Sequence, residues 1–181
     1  VEALERAVQR GVNVCVMVDD AGTRYDWPPI TSVLRQRGVR AHRFMPPSFL
    51  DRLITMNLRN HRKLLIVDGK TGFTGGMNIR QGNMLNESPA HPVADLHFKV
   101  EGPVVSQMQR VFAEDWHFCT GEWLQGNEWF PDLDMPGDIS IIGLPDGPDD
   151  DTQTISLAIA TALDSAKRDV RIISPYFLPP E

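Results

Sequence analysis

A chain of 181 residues, 41% of them hydrophobic, is long enough to bury a core and too apolar to stay disordered throughout. Its apolar runs fall well short of the roughly 18 residues that span a bilayer, its start lacks the basic-then-apolar pattern of an export signal, and its two cysteines, Cys15 and Cys119, are too few for a disulfide framework and fit a reducing compartment. A net charge of −6 argues against a general nucleic-acid binder.

Apolar positions at Val1, Leu4 and Val8, with Ala3 and Ala7 beside them, predict a helix over residues 1–10 that stops at Gly11. Residues 12–18 are rich in β-branched residues and nearly apolar on both faces, which suits a strand covered by helices on each side. Residues 29–37 read as a short helix closed by Gly38, and 39–44 as a strand. Residues 63–67 and 70–74 flank Asp68-Gly69, a strong hairpin signal that brings antiparallel strands into the sheet. Residues 95–101 alternate polar and apolar, as a half-buried strand does. Gly102-Pro103 then opens a helix whose stripe is Val104, Met108, Val111, Phe112 and Trp116. The expected fold class is therefore α/β, a mixed β-sheet flanked by helices on both faces.

From residue 126 to 151 the chain fills with Pro, Gly and Asp around one short predicted strand, 139–142. A boundary is placed here, dividing a first domain, 1–144, from residues 145–181, where a helix at 152–167 and a strand at 170–173 echo the order at the chain's start. The opening Val1 and the strand-like ending after Ser174 suggest a segment of a longer protein. Charge is uneven along the chain: residues 35–63 hold eight basic side chains (Arg35, Arg37, Arg40, Arg43, Arg52, Arg59, Arg62, Lys63) against Asp51 alone, whereas 128–151 hold eight acids and no Lys or Arg. Either these are solvated faces or the basic stretch meets an anionic substrate.

The stretch that carries chemistry runs from His61 to Asn78. In strand geometry His61 and Lys63 share a face and Asp68 falls on the other parity. The hairpin returns Thr74, Gly75, Gly76 and Asn78 beside them. Glycines that allow close backbone approach, an amide donor, an ammonium and an imidazole make a reasonable phosphate site with a built-in nucleophile. A phosphate-binding loop of the Walker type at Gly69-Lys70-Thr71 fails because Leu64 stands where its first glycine belongs. His91, His97, His117 and Cys119 lack a recognised zinc spacing.

His61-x-Lys63-x4-Asp68-x6-Gly75-Gly76-x-Asn78 resembles the H-x-K-x4-D-x6-G-[GS]-x-N motif of the phospholipase D superfamily. Asn60-His61-Arg62-Lys63, Gly75-Gly76-Met77-Asn78, Asp95-x-His97 with Val100-Glu101-Gly102-Pro103, and the ending Ile172-Ile-Ser-Pro-Tyr-Phe-Leu-Pro are similar to bacterial cardiolipin synthases in particular. The resemblance implies a phospholipase D-like αβα sandwich and a two-step phosphodiester exchange through a phosphohistidine. It makes His61 the nucleophile and Lys63 and Asn78, with Gly75 and Gly76, the phosphoryl-binding groups; Asp95 orients the imidazole, and Asp68 is a motif member whose parity points to bracing the hairpin or pairing with a nearby cation. It implies no cofactor and no metal, a phosphatidylglycerol-like phospholipid as substrate, a membrane surface and a second catalytic half as partners, and, for a full-length protein, a place at the bacterial inner membrane. The sequence departs from the pattern in having one motif only, and in having Gly76 where Ser is commoner. Two other readings stay open: a single-motif phosphodiesterase or nuclease acting as a homodimer, and a non-catalytic lobe that binds anionic lipid. Nucleic acid is the less favoured ligand, because Phe44 and Phe49 are the only aromatic residues among the basic ones.

Overall fold

The computed structural model describes residues 1–20, 23, 27–44, 60–145 and 154–172. The chain divides into two compact units, 1–143 and 144–181. The first opens with α1 (Glu2–Gln9), β1 (Cys15–Asp19), α2 (Ile30–Gln36) and β2 (Arg40–Phe44). β1 and β2 pair in parallel with Cys15 opposite Arg40 and Asp19 opposite Phe44. Alternation along β1 assigns its two faces: Val14 and Val16 pack with Leu34, Val39, Ala41 and, from α1, Leu4 and Val8, while Cys15 and Met17 pack with Ala113, Trp116 and Leu124. A strand wrapped on both sides in this way has little use for polar positions, which explains the near-continuous apolar run.

β3 (Leu64–Val67), β4 (Thr71–Gly75) and β5 (His97–Glu101) form a second, antiparallel group in the order β3-β4-β5. The hairpin turns at Asp68 and Gly69, whose φ values of 54° and 63° are both positive, and Lys70 N–H donates to Val67 C=O at 3.0 Å. Three residues rather than two separate the pair Val67↔Thr71, since Lys70 also stands outside the ladder. Gly69 is required on two counts: its left-handed backbone, and the Trp129 carbonyl and Pro131 ring that occupy the space a Cβ would take.

α3 (Val104–Thr120) packs against β2 and against all three strands of the antiparallel group. Its buried residues are Val104, Val105, Met108, Gln109, Ala113 and Trp116. The buried stripe is thus wider than the predicted one, which lacked Val105, Gln109 and Ala113, because the helix serves strands on two sides. Trp116 is 0% exposed; its indole N–H donates to Glu122 at 3.2 Å, His42 meets its ring edge-on at 5.0 Å, and the Arg40 guanidinium lies 5.3 Å from the ring centre. The architecture is α/β, with parallel and antiparallel pairing and with helices on both faces of β1.

Several boundaries move from their sequence positions. β1 begins at Cys15 and not at Val12, where β2 first offers a partner. Lys63 and Asp95 lie just outside their strands. Residues 139–142 form no strand: Ile139 and Ile142 are exposed, and the nearest anchoring contact is Gly143 N–H donating to Gln107 Oε1 at 2.7 Å. β-branched residues make a strand only where a neighbour supplies a ladder. In the second unit α4 (Thr154–Ser165) has no buried residue, and residues 170–172 carry no strand; residue 173 and the motif-like ending lie outside the described residues. Among the described residues no helix is long and apolar enough to cross a membrane.

Candidate active site

Topology gathers the candidate residues at one end of the antiparallel sheet. The start of β3, the end of β4 and the start of β5 meet there, as the pairs Leu64↔Thr74 and Gly75↔His97 show. The register Leu64↔Thr74, continued outward, leads toward Lys63 beside Gly75 and His61 beside Met77; the register Gly75↔His97 leads toward Met77 beside Asp95. Asp68 sits in the turn at the other end, seven residues from His61, or roughly 20 Å at strand rise. The stretches that carry His61 and Lys63, Gly75 to Asn78, and Asp95 thus leave the same end of the sheet, and Asp68 lies at the other.

Residues 60–63 carry no assigned helix or strand, so they need holding by other means. Alternate residues do that. Asn60 Nδ2 donates to Asp115 Oδ2 at 2.8 Å, and Arg62 Nη1 donates to both Asp115 oxygens at 2.9 and 2.8 Å. Asn60 N–H donates to Asp19 Oδ1 at 3.2 Å, and Arg62 N–H to Asn60 Oδ1 at 3.0 Å. With Asn60 and Arg62 bonded to Asp115 on α3, His61 between them is exposed. Lys63 folds back so that its Nζ donates to the His61 carbonyl at 2.7 Å, which keeps the cation within the motif. Between the end of β1, the 60–64 segment and α3 lies a small cleft of about 70 Å³, lined by Asn60 and Arg62 together with Asp19, Asp115, Met17, Leu64 and Phe112.

Gly75 and Gly76 do permit close approach, and what approaches is β5. A Cβ on Gly76 would fall onto the Asp95 carboxylate, and one on Gly75 onto the Leu96 carbonyl and the His97 backbone. Gly76 N–H donates to Leu96 C=O at 3.0 Å, and Asp95 Oδ1 accepts from Leu96 N–H at 2.7 Å. Asp95, Gly76 and Asn78 are all exposed. His97 is on β5, His91 in the preceding loop, and His117 and Cys119 on α3; among the described residues no three His, Cys, Asp or Glu side chains are grouped to hold a metal.

Most of the basic stretch has internal duties. Arg35 Nε donates to Ala41 C=O at 2.6 Å, Arg37 pairs with Glu5 at 2.5 Å, Arg40 with Glu122, Arg43 with Asp20 at 2.9 Å and Arg62 with Asp115. Arg52 and Arg59 lie outside the described residues. Those arginines thus join parts of the first unit to one another, while Lys63 bonds within the motif, to the His61 carbonyl. The sequence reading missed Asn60, Arg62, Asp19 and Asp115 as parts of the site. The first two stood in plain view as the letters around His61, but the last two are joined to them only by folding.

A family model described as "Cardiolipin synthase, PLD-like domain" matches residues 1–116, and the chain belongs to this phospholipase D-like family. Among curated proteins it is similar to cardiolipin synthase A of Pseudomonas putida, at 35% identity over 185 residues covering 99% of this chain and 37% of that protein. Cardiolipin synthase A of Pseudomonas fluorescens is 36% identical over 98% of this chain and 36% of its own length, and cardiolipin synthase 2 of Staphylococcus epidermidis 32% identical over 97% and 36%. The chain spans little more than a third of the length of these relatives.

Proposed function

We propose that this chain carries one half-site of an enzyme that transfers a phosphatidyl group by phosphodiester exchange, with a phosphatidylglycerol-like lipid as donor. The observation that carries the reading is the single H-x-K-x4-D-x6-G-G-x-N motif, in which His61 is exposed and Lys63 Nζ is bonded to its carbonyl. An imidazole nitrogen of His61 attacks phosphorus, the bond to the departing glycerol oxygen breaks, and the phosphatidyl group rests on His61. An acceptor alcohol then attacks phosphorus and frees the imidazole. Lys63 and Asn78 neutralise and orient the non-bridging oxygens, and Asp95 holds the imidazole tautomer and the charge it acquires. The donors are cationic and neutral, so no divalent metal is required.

The departing alkoxide needs a proton. The lone motif offers no second histidine at motif spacing, so a second motif-bearing half supplies it; without that acid the step slows by about 10²–10⁴-fold. The first and second domains are assigned to residues 1–144 and 145–181, the latter opening that second half. In the complete protein the site works against a membrane surface.

The test uses phosphatidylglycerol vesicles labelled in the headgroup phosphate, with plasmid DNA as the competing substrate. Chain quenched in neutral detergent, where the P–N bond survives, should carry slow, substoichiometric label on His61 and show negligible turnover, with turnover appearing when a separately made second half is added. His61→Ala should lose the label and keep its circular dichroism and melting temperature, since the side chain is exposed. Label on another residue, rapid cleavage of DNA by a symmetric dimer, or lipid binding without any covalent adduct would each overturn the proposal.

A further inference from the structure

We infer that Asp115, in the middle of α3, is a positioning residue for His61, acting through Asn60 and Arg62. The inference rests on the reading of His61 as nucleophile and adds to it a residue 54 positions away in the sequence. His61 stands on a segment without ladder hydrogen bonds, so the backbone on either side of it has no sheet to fix its dihedrals. The residues immediately before and after it are instead tied to one carboxylate, the Asn60 amide by one bond and the Arg62 guanidinium by two. The bond from Arg62 N–H to Asn60 Oδ1 closes a ring of contacts around His61, and the bond from Asn60 N–H to Asp19 anchors that ring to the end of β1.

Asp115 is well suited to the role. Its side chain is 16% exposed against 30% for Arg62, so the pair is partly shielded from water and its geometry persists better than that of an open surface pair. It is carried by a 17-residue helix whose neighbouring Trp116 is fully buried, so the carboxylate is referenced to the packed core of the unit. An ordinary staple between a helix and a loop would explain one such bond. Convergence on both neighbours of a single histidine, with that histidine left unbonded by the ring and directed outward, explains more as alignment of the imidazole.

The experiment uses the 181-residue chain and potassium phosphoramidate, a small phosphoryl donor. Its P–N bond breaks, the phosphoryl group passes to a histidine nitrogen and ammonia leaves. Site-resolved mass spectrometry then gives the rate at His61 relative to exposed His91, which lies in the β4–β5 loop without contact to Asp115, while His42 and His117 report on unfolding. In the parent chain His61 should outpace His91. Asp115→Ala should reduce that ratio by about tenfold, as loss of alignment does, whereas Asp115→Asn, which keeps an oxygen acceptor, should retain most of it. Arg62→Met, which leaves the helix intact, should fall between them. A ratio unchanged in Asp115→Ala and Arg62→Met, with His61 still privileged, would overturn the positioning role and leave the nucleophile standing. Equal rates at His61 and His91 in the parent chain would overturn the nucleophile reading, and the positioning role with it.

Discussion

At the scale of single residues, what matters about this site is which side chain occupies which small space. Gly76 stands where the motif more often has serine, and the space a serine Cβ would need is filled by the Asp95 carboxylate. Asp95 is exposed and held by one bond from Leu96 N–H, so it can swing away. Gly76→Ser should therefore cost only about 1 kcal/mol, the worth of one such bond, and should shift the Leu96 amide resonance while the rest of β5 stays put. An unmoved Leu96 amide, or a loss of several kcal/mol in urea titration, would contradict this account. The contact between Gly76 and Asp95 was not legible in the sequence: the glycines signalled close approach, but nothing in their spacing said that the approaching group was a carboxylate 19 residues on. The letters of Asn60 and Arg62 flank His61 in plain view, but their bonding to Asp115 was not legible, because it depends on α3 crossing behind the segment.

At the scale of elements, the local signals were read most faithfully where one residue type has one physical use. Asp68-Gly69 gave the hairpin because two successive positive φ values are tolerated by few other pairs. Val12 and residues 139–142 misled because β-branched side chains fit a strand without guaranteeing a partner strand, and pairing is a property of the fold. The α3 stripe was legible in outline through Met108 and Trp116. Its buried Gln109 was not, since a polar residue breaks the pattern from which the stripe is read. Trp116 is the central packing element, in contact with Phe112, His42 and Arg40 and bonded to Glu122. Trp116→Ala should destabilise the unit by about 3–5 kcal/mol, the range for a large core aromatic, measured as a lowered urea midpoint. A change below 1 kcal/mol would mean that α3 is held from elsewhere.

At the scale of the whole molecule, acidity couples to stability through His42. Burial, followed by the charges of Arg35 and Arg40, pushes its pKa below the usual 6.5. The unfolded chain therefore binds the proton more readily than the folded one. This contribution to stability is complete above about pH 6.5 and is lost as pH falls toward the lower, folded value. His42→Gln should flatten that part of the pH–melting curve, and an unchanged slope would assign it to other groups. The same ring lies 5.0 Å from the Trp116 indole. Excited indole donates an electron to imidazolium far more readily than to neutral imidazole, so the packing that buries the tryptophan also wires its light emission to a proton. Of the four tryptophans, Trp27 and Trp123 are exposed and Trp129 is half-buried, so Trp116 alone is fully withdrawn from water and should contribute most at the blue edge of the spectrum. Dimming of that edge on acidification, ahead of any unfolding, would make the molecule a reporter of its own core without an added dye.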